Sequence, residues 1–533
     1  RVDHSARTVI TGDPNMSINE LGVPVDIANN LAYPETVNKY NIGYLNNLLQ
    51  RGKVKWIIEN TKINPQTIDV EFLRKSGKQP KPIKEGNIVW RYLQDGDIVF
   101  FNRQPTLHRM SMMAHKAVIL EGKSFRLNGS CTSPYAADFD GDEMNMHVPI
   151  SEACRYELEH LTIVSTQIVS PQGSKPVIGL IQDSLLAWHL ITKRNNNIPL
   201  SVFMDIKGLW VDSNISSTKT DTIDLGTHDF ISNVLPNITL FKKGDSFSEE
   251  DLTDETINSE YIKICRRFGN KLENINQKAK IKKIKELKNK SAIIVENGNY
   301  KSGIFDTKQL GKGANGGLIH ATWKDCGHLR TQKFIDTLNK VATNWLLYEG
   351  FSVGLKDMRI YNKKSEEEIE NAVLKGFKES EQLIQRLYTG EIKALVTNSV
   401  RMQFEKDIAT KLQNVRTVAD SITNNAIELD NRMDMMITAG SKGSKNNTIS
   451  IISMLGQQNI DGIRIQDTMD HRPLPFFEKD AVHPVARGFI RNSHYSGLNP
   501  VEYLYHAMEG RLGVISTAIN TAETGYIHRK LIK

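Results

Sequence analysis

Three carboxylates in five residues, Asp138-Phe139-Asp140-Gly141-Asp142, constrain this chain more than any other feature. Like charges packed so closely repel, and a fold tolerates them best around a cation. Alternate spacing lets the three side chains point the same way along an extended stretch, and Gly141 lets the backbone turn sharply. Hard oxygen donors with room for water and phosphate suit Mg²⁺. Two-metal phosphoryl transfer needs such a cluster.

Other readings of the motif compete. An EF-hand loop counted from Asp138 needs Gly at its sixth place and Glu at its twelfth, where the chain has Glu143 and Pro149. A phosphatase of the haloacid-dehalogenase type carries Asp-x-Asp-Gly behind an apolar parallel strand, whereas the lead-in here is Thr132-Ser133-Pro134-Tyr135. An acidic surface turn stays open on the motif alone, because short motifs recur by chance.

The chain around the motif divides into several parts, as 533 residues require. Residues 1–150 mix short β-rich runs with turns and are read as a β-barrel-like domain. Within them Asp95-Gly96 reads as a hairpin turn between two strands of 86–103. Residues 124–149 read as strand, polar loop and strand, and 151–161 as a helix capped by Ser151. The stretch 200–300 is polar, Asn- and Ser-rich and weakly patterned. Its Lys run at 278–290 reads as a solvated helix face before a nucleic-acid contact. From about 326 to 440 the pattern is helical, with an antiparallel pair in 365–388 and 401–437, and GSKGSKNN (440–447) interrupts it. Asn499-Pro500-Val501-Glu502 supplies an N-cap, a Pro at N1 and an acid at N3. A helix can then run to Lys533, a rod of roughly 50 Å. Gly510, Gly513 and Gly525 each cost it up to about 1 kcal/mol against Ala, so neighbours must hold it.

Composition excludes several classes. The net charge, 68 − 61 = +7, is too mild for a histone-like wrapper. Cys131, Cys154, Cys265 and Cys326 are too few and scattered for a disulfide scaffold or a Cys-rich zinc module, which fits an intracellular compartment. No apolar run reaches the ~18 residues of a membrane span. The first residue is Arg, no leader pattern follows it, and the last residues stop inside a helical pattern. Both ends are read as cuts in a longer protein.

FNRQPTLHRMSMMAH (101–115) lies just upstream of SPYAADFDGDEMNMHVP (133–149). Downstream come GSKGSKNN, GQQNIDGIRI (456–465), RPLPFF (472–477) and the block 488–533. With the opening RVDHSARTVITGDPN (1–15), these resemble the largest subunit of multisubunit DNA-dependent RNA polymerases of the eukaryotic, archaeal and large-DNA-virus type. The resemblance runs from end to end. It implies an α+β, multidomain fold: a double-psi β-barrel active-site domain over 1–150, a pore domain over 151–355, funnel helices over 356–440, and a cleft region over 441–533 whose bridge helix covers about 499–533.

The resemblance also implies chemistry. Asp138, Asp140 and Asp142 match the triad that holds the permanent catalytic Mg²⁺, and a second Mg²⁺ is expected with the incoming NTP; zinc is not expected here. Arg103, followed by Gln104, matches the arginine near the nucleotide sugar. Lys442 and Arg464 match basic residues on the triphosphate path, where Lys acts as a point charge and Arg as a fork. Arg7 matches an arginine near the template and hybrid, and Thr521, Ala522 and Tyr526 match positions facing the template base. The implied partners are the second-largest and smaller polymerase subunits, DNA template, RNA transcript and NTPs, without a membrane. The implied setting is a nucleus, or the host cytoplasm or virion of a large DNA virus. Where the family usually has Asn, this chain has Ala136, whose side chain neither donates nor accepts a hydrogen bond. The expected function is DNA-templated nucleotidyl transfer to the RNA 3′-hydroxyl. The alternatives are a non-catalytic scaffold subunit and, less favoured, a stand-alone Mg²⁺-dependent phosphatase.

Overall fold

The computed structural model describes residues 3–59, 66–193, 198–208, 224–243, 254–268, 270, 276–360, 362–392 and 399–533. Parts of the polar 200–300 stretch, and the first two residues of the opening block, lie outside the described residues. Two compact units divide the chain: Arg1–Glu250 with Lys283–Gly350 and Ala439–Ser441, and Asp251–Lys282 with Phe351–Thr438 and Lys442–Lys533.

The first unit opens with β1 (Ser5–Gly12), β2 (Glu20–Pro24), β3 (Ala32–Thr36), β4 (Val54–Glu59) and β5 (Gln66–Asp69). Then come β6 (Ile88–Tyr92), β7 (Ile98–Asn102), β8 (Met112–Leu120), β9 (Phe125–Leu127) and β10 (Glu143–His147). A closed barrel forms in the order β1-β10-β7-β8-β2-β9. β1 runs parallel to β9 and β2 parallel to β8, while the remaining neighbours are antiparallel. Parallel neighbours need crossover connections, so this barrel is no meander of hairpins. The period of two is plain in β10: Met144 and Met146 are fully buried, while Glu143 is exposed and Asn145 and His147 are half-buried. Ile10, Leu21, Phe101, Met113, Phe125 and Leu127 are buried with the two methionines.

β3, β6, β4 and β5 form a separate antiparallel sheet in that order. Leu45, Leu48 and Leu49 of the helix Ile42–Arg51 share its core with Val54, Ile57 and Val89. Asp95-Gly96 therefore does not close the expected hairpin: β6 lies in this sheet and β7 in the barrel. Tertiary bonds outweigh the turn signal. The buried Arg91 guanidinium clamps Asp97 through NH1–Oδ2 at 2.7 Å and NH2–Oδ1 at 2.8 Å, and its Nε reaches Glu35 at 2.7 Å. Gly96 N donates to Ala117 O of β8, and Ala117 N to Asp97 O, both at 2.8 Å.

The helices α1 (Thr132–Tyr135), α2 (Glu152–Glu157), α3 (Gln182–Lys193) and α4 (Leu318–Glu349) are among the helices of this unit. Ser151 caps α2 as expected, its Oγ accepting from Cys154 N at 3.2 Å. α4 is broken by a non-helical Gly327, and the buried Trp188 of α3 donates to Leu338 O of α4 at 3.0 Å.

In the second unit α5 (Lys363–Tyr388) and α6 (Val400–Ala426) form the antiparallel pair. Gly376 lies directly against Val415, and Glu379 meets Lys411 at 3.0 Å. The second arm is shorter than 401–437: Ile427 is extended, and a new helix α7 (Arg432–Ala439) starts where Asn431 Oδ1 accepts from Asp434 N at 3.0 Å. The terminal helix α8 (Pro500–Ile532) carries the full expected capping box between Asn499 and Glu502. Among the described residues, no helix is long and apolar enough to cross a membrane.

A candidate metal and catalytic centre

The aspartates occupy the loop from α1 to β10. α1 ends when Ala136 turns left-handed, at φ 50° and ψ 36°, and Gly141 takes φ 121° just before β10. Between these bends the loop is held from both sides. Asp142 O accepts from Ile10 N of β1 at 3.0 Å, and the Phe139 ring rests on Gly12, where an added Cβ would come within 2.8 Å of it. Beneath the loop Tyr135 is buried, with its hydroxyl 2.8 Å from His115 Nε2 and its ring edge-on to Phe101. Burial pushes the His115 ring down to about 3, so it is neutral and acts as a fixed spacer.

Each aspartate offers a carboxylate oxygen within 4.8 Å of the other two, with Asp138 and Asp140 exposed and Asp142 half-buried. Hydrogen bonding to Asp140 raises the pKa of Asp138, with slight burial and the charges of Asp140 and Asp142 adding to it. That is the signature of carboxylates crowded without a counter-charge. Asp142 goes the other way. Partial burial works against its charge, but the hydrogen bond and charge of Arg103 and the Asp138 N–H outweigh that and lower its pKa. Arg103 Nε donates to Asp142 Oδ2 at 2.8 Å, and Asp138 N donates to the same oxygen at 3.3 Å. Asp142 thus stays charged beside the other two carboxylates. Three oxygen donors of this kind, with solvent access for water or phosphate, fit a hard divalent cation.

Arg103 reaches Asp142 because its own loop is fixed. Asn102 is buried and its Nδ2 donates to Thr106 Oγ1 at 2.8 Å, while Arg103 N donates to Ser111 O at 3.3 Å. Gln104 follows as an exposed residue ahead of a cis peptide bond to Pro105. Arg7 stands on the neighbouring strand, its Nε donating to Glu143 at 2.7 Å and its NH1 to Asn145 at 3.2 Å. The structure thus brings Arg103 and the three aspartates together and sets Arg7 one strand away. Sequence reasoning passed over Asn102, Phe139 and His115. Phe139 carried a signal, an apolar residue between aspartates, while the other two are recognisable only by what they touch.

The remaining candidates belong to the second unit. Lys442 is exposed and has no ion pair among the described residues. Arg464 departs from the expectation that its fork serves a phosphate: its side chain is 1% exposed and engaged by the protein itself. Nε and NH2 grip Glu405 at 2.8 and 3.0 Å, and NH1 donates to Val482 O at 3.1 Å. Thr521, Ala522 and Tyr526 are exposed on α8. The Thr521 hydroxyl folds back to Thr517 O at 2.7 Å, and Lys530 lies over the Tyr526 ring at 4.4 Å.

Comparison with known families gives four consecutive matches. RNA polymerase Rpb1, domain 2 covers residues 1–164, domain 3 covers 167–358, domain 4 covers 384–490 and domain 5 covers 497–533. A closed barrel with an acidic loop, followed by these domains in order, defines the class: a subunit of a multisubunit RNA polymerase. The chain belongs to the Rpb1 family, the largest subunit of DNA-directed RNA polymerase. Such a subunit works in an assembly with other subunits, DNA and RNA.

Proposed function

We propose that the chain supplies the catalytic centre of DNA-templated RNA synthesis, as a nucleotidyltransferase: the RNA 3′-hydroxyl attacks the α-phosphorus of an NTP and pyrophosphate leaves. The observation that carries this reading is the convergence of Asp138, Asp140 and Asp142 on one exposed point, with Arg103 holding Asp142 ionised. The three carboxylates would hold a resident Mg²⁺, and a second would come with the NTP. When bound, these ions activate the 3′-hydroxyl and neutralise the charge gathering on the phosphates. The protein's share is positioning. β1 and β10 fix the loop ends, so the carboxylates need no reorganisation during the reaction.

Arg103 spends only its Nε on Asp142, which leaves NH1 and NH2 for a sugar hydroxyl beside Gln104. Ala136 lacks the amide that family members usually place before the aspartates, so ribose selection rests more on Arg103. Lys442 has a free ammonium suited to the triphosphate, and Arg7, Thr521, Ala522 and Tyr526 would face template or hybrid. In the same reading α5 and α6 are funnel helices, α8 is a bridge helix, and the partner that completes the cleft is the second-largest subunit.

The decisive experiment is primer extension by the complete assembly on a DNA template. Asp140→Ala should lower the rate at saturating Mg²⁺ by on the order of 10³-fold, since several kcal/mol of charge stabilisation is lost. Undiminished extension would leave the chain a scaffold whose catalytic residues lie elsewhere.

A further inference from the structure

Beyond its break at Gly327, α4 grips the barrel through two polar side chains one turn apart, Asp336 and Asn339. Asp336 is half-buried and holds the loop between β1 and β2. Ser17 Oγ donates to its Oδ2 at 2.5 Å, and Ile18 N donates to its Oδ1 at 2.9 Å. Gln332 Nε2, one turn earlier, donates to the Ser17 oxygen at 2.9 Å and to Asp336 Oδ2 at 3.4 Å. Asn339 is buried and holds the turn after β9, its Nδ2 donating to Ser130 Oγ at 2.9 Å and to Asn128 Oδ1 at 3.3 Å. The two gripped segments are also tied to each other. Asn128 Nδ2 donates to Met16 O at 2.7 Å, Asp13 N to Leu127 O at 2.9 Å, and the Cys131 thiol to Ile18 O at 3.4 Å.

Both segments lead directly to the aspartates. Cys131 is followed by α1 and then by the left-handed Ala136 that opens their loop. The β1–β2 loop starts from Gly12, on which the Phe139 ring rests. A shift at Asp336 therefore reaches the aspartate loop from two sides.

Ser17, Ile18 and Gln332 all donate to Asp336, which suits an ionised carboxylate; the amide of Asn offers only one acceptor oxygen. Burial nevertheless pushes the carboxyl up to about 6, with the donors and the charge of Lys340 offsetting only part of that. The other titratable groups nearby are Cys131, a buried thiol held neutral, Glu20, which accepts from Ser17 N at 3.0 Å, and Asp13, paired with Arg126 at 3.6 Å. Lys333 of the same helix is exposed. A carboxyl raised in the fold binds its proton more tightly there than in the unfolded chain. Ionising Asp336 therefore costs stability as pH rises from about 4 to 6. A carboxylate kept at that cost, where a neutral amide would avoid it, points to a use beyond packing.

We propose that Asp336 is a positioning residue for the polymerase reaction: with Asn339 beside it, the ionised carboxylate locks the β1–β2 loop to the β9–α1 turn and so sets the spacing of Asp138, Asp140 and Asp142. It touches neither substrate nor metal and acts through the loop. The role rests on the aspartates being catalytic.

The test is single-turnover extension by the complete assembly at saturating NTP and Mg²⁺, from pH 5.5 to 8. Asp336→Asn keeps the volume, removes the charge and cannot titrate. The ratio of wild-type to variant rate should be smallest at pH 5.5, climb through about pH 6 and level off near fivefold, about one charge-assisted hydrogen bond, with the NTP requirement unchanged. Asp336→Ala should lose about tenfold or more at neutral pH. Urea unfolding gives a readout apart from activity: Asp336→Asn should gain stability over wild type as pH rises from 5 to 7. A rate ratio flat with pH, a change confined to the NTP requirement, or hydrogen-exchange protection lost across α1 and α4 in Asp336→Asn would overturn the role. Asp140→Ala separates the two failures. Extension that survives it sinks the catalytic reading, whereas extension that it abolishes, with a flat Asp336 ratio, sinks the positioning role alone.

Discussion

The aspartate loop and the terminal helix α8 both present candidate functional side chains, yet they are held in opposite ways. The loop is short and fixed at close intervals: Asp142 O to β1, Asp142 Oδ2 to Arg103, Phe139 on Gly12, Tyr135 on His115. Among the described residues, α8 is fixed at its root. Glu502 accepts from Arg491 N at 3.0 Å, Asn492 Nδ2 at 2.8 Å and Asn499 N at 3.1 Å, and Tyr505 donates to Ala486 O at 2.6 Å. Beyond Gly510 every residue of the helix except Leu512 and His528 is exposed, including Val514, Ile519 and Leu531. A catalytic charge cluster needs fixed geometry that the chain can supply by itself. A mixed polar rod that exposes apolar residues at intervals offers surface that a partner can cover.

The largest effect tests whether Arg464 belongs with the fixed groups or the displayed ones. Glu405→Ala leaves a buried guanidinium without its carboxylate, so it should cost the second unit about 3 kcal/mol. Hydrogen exchange across α6 reports this directly, and protection there should fall. If Arg464 were instead displayed to substrate, the variant would keep its protection and raise the KM for NTP.

The next test sits under the aspartate loop. His115 is buried neutral with its pKa lowered to about 3, below the roughly 6.5 of an unfolded histidine. The unfolded chain therefore binds the extra proton more readily. The stability of neutral burial is complete above about pH 6.5 and is lost as pH falls toward 3, by up to about 1.4 kcal/mol per pH unit. Urea midpoints of the barrel between pH 7 and 5 should show that slope, and His115→Gln should flatten it. An unchanged slope in the variant would assign the acid sensitivity to the carboxylates instead.

A smaller effect separates loop geometry from loop chemistry. Ala136 holds a left-handed conformation that Asn adopts more readily than Ala. Ala136→Asn should therefore fold without strain while restoring a polar amide beside the aspartates. One added hydrogen bond to the sugar, about 1 kcal/mol, should raise the preference for ribo- over deoxyribonucleotide about fivefold. Competition between ATP and dATP on one template measures it, and unchanged preference would leave sugar selection to other groups.

What the sequence disclosed follows the range of the forces involved. Asn499, Pro500 and Glu502 fix a helix start through bonds spanning three residues, and that element appears as read. The aspartates also read correctly as a cluster, because repulsion among near neighbours is local. Asp95-Gly96 misled because the bonds that decide its geometry run to Glu35 and Ala117. Arg464 misled for the same reason: Glu405, 59 positions away, takes the fork that a motif alone offers to phosphate. The break after Ala426 was invisible because it depends on Asn431 and on Asp357, whose Oδ1 accepts from Arg432 N at 2.9 Å.

The last test applies to α8 itself. Gly510, Gly513 and Gly525 have nothing within 4 Å of where a Cβ would stand, so no described side chain excludes a larger residue there. Ala at each position should then stabilise the helix by up to about 1 kcal/mol in the free subunit. In the complete assembly the expected sign reverses. If the glycines exist for the close approach of nucleic acid or another subunit, the added methyl meets that partner, and bending of the rod is restricted as well. Gly513→Ala and Gly525→Ala should therefore raise helicity by circular dichroism in the free subunit while slowing elongation in the assembly. Faster or unchanged elongation would mean that α8 is held as the aspartate loop is, by contacts that tolerate a stiffer helix, and the contrast between the two regions would fail.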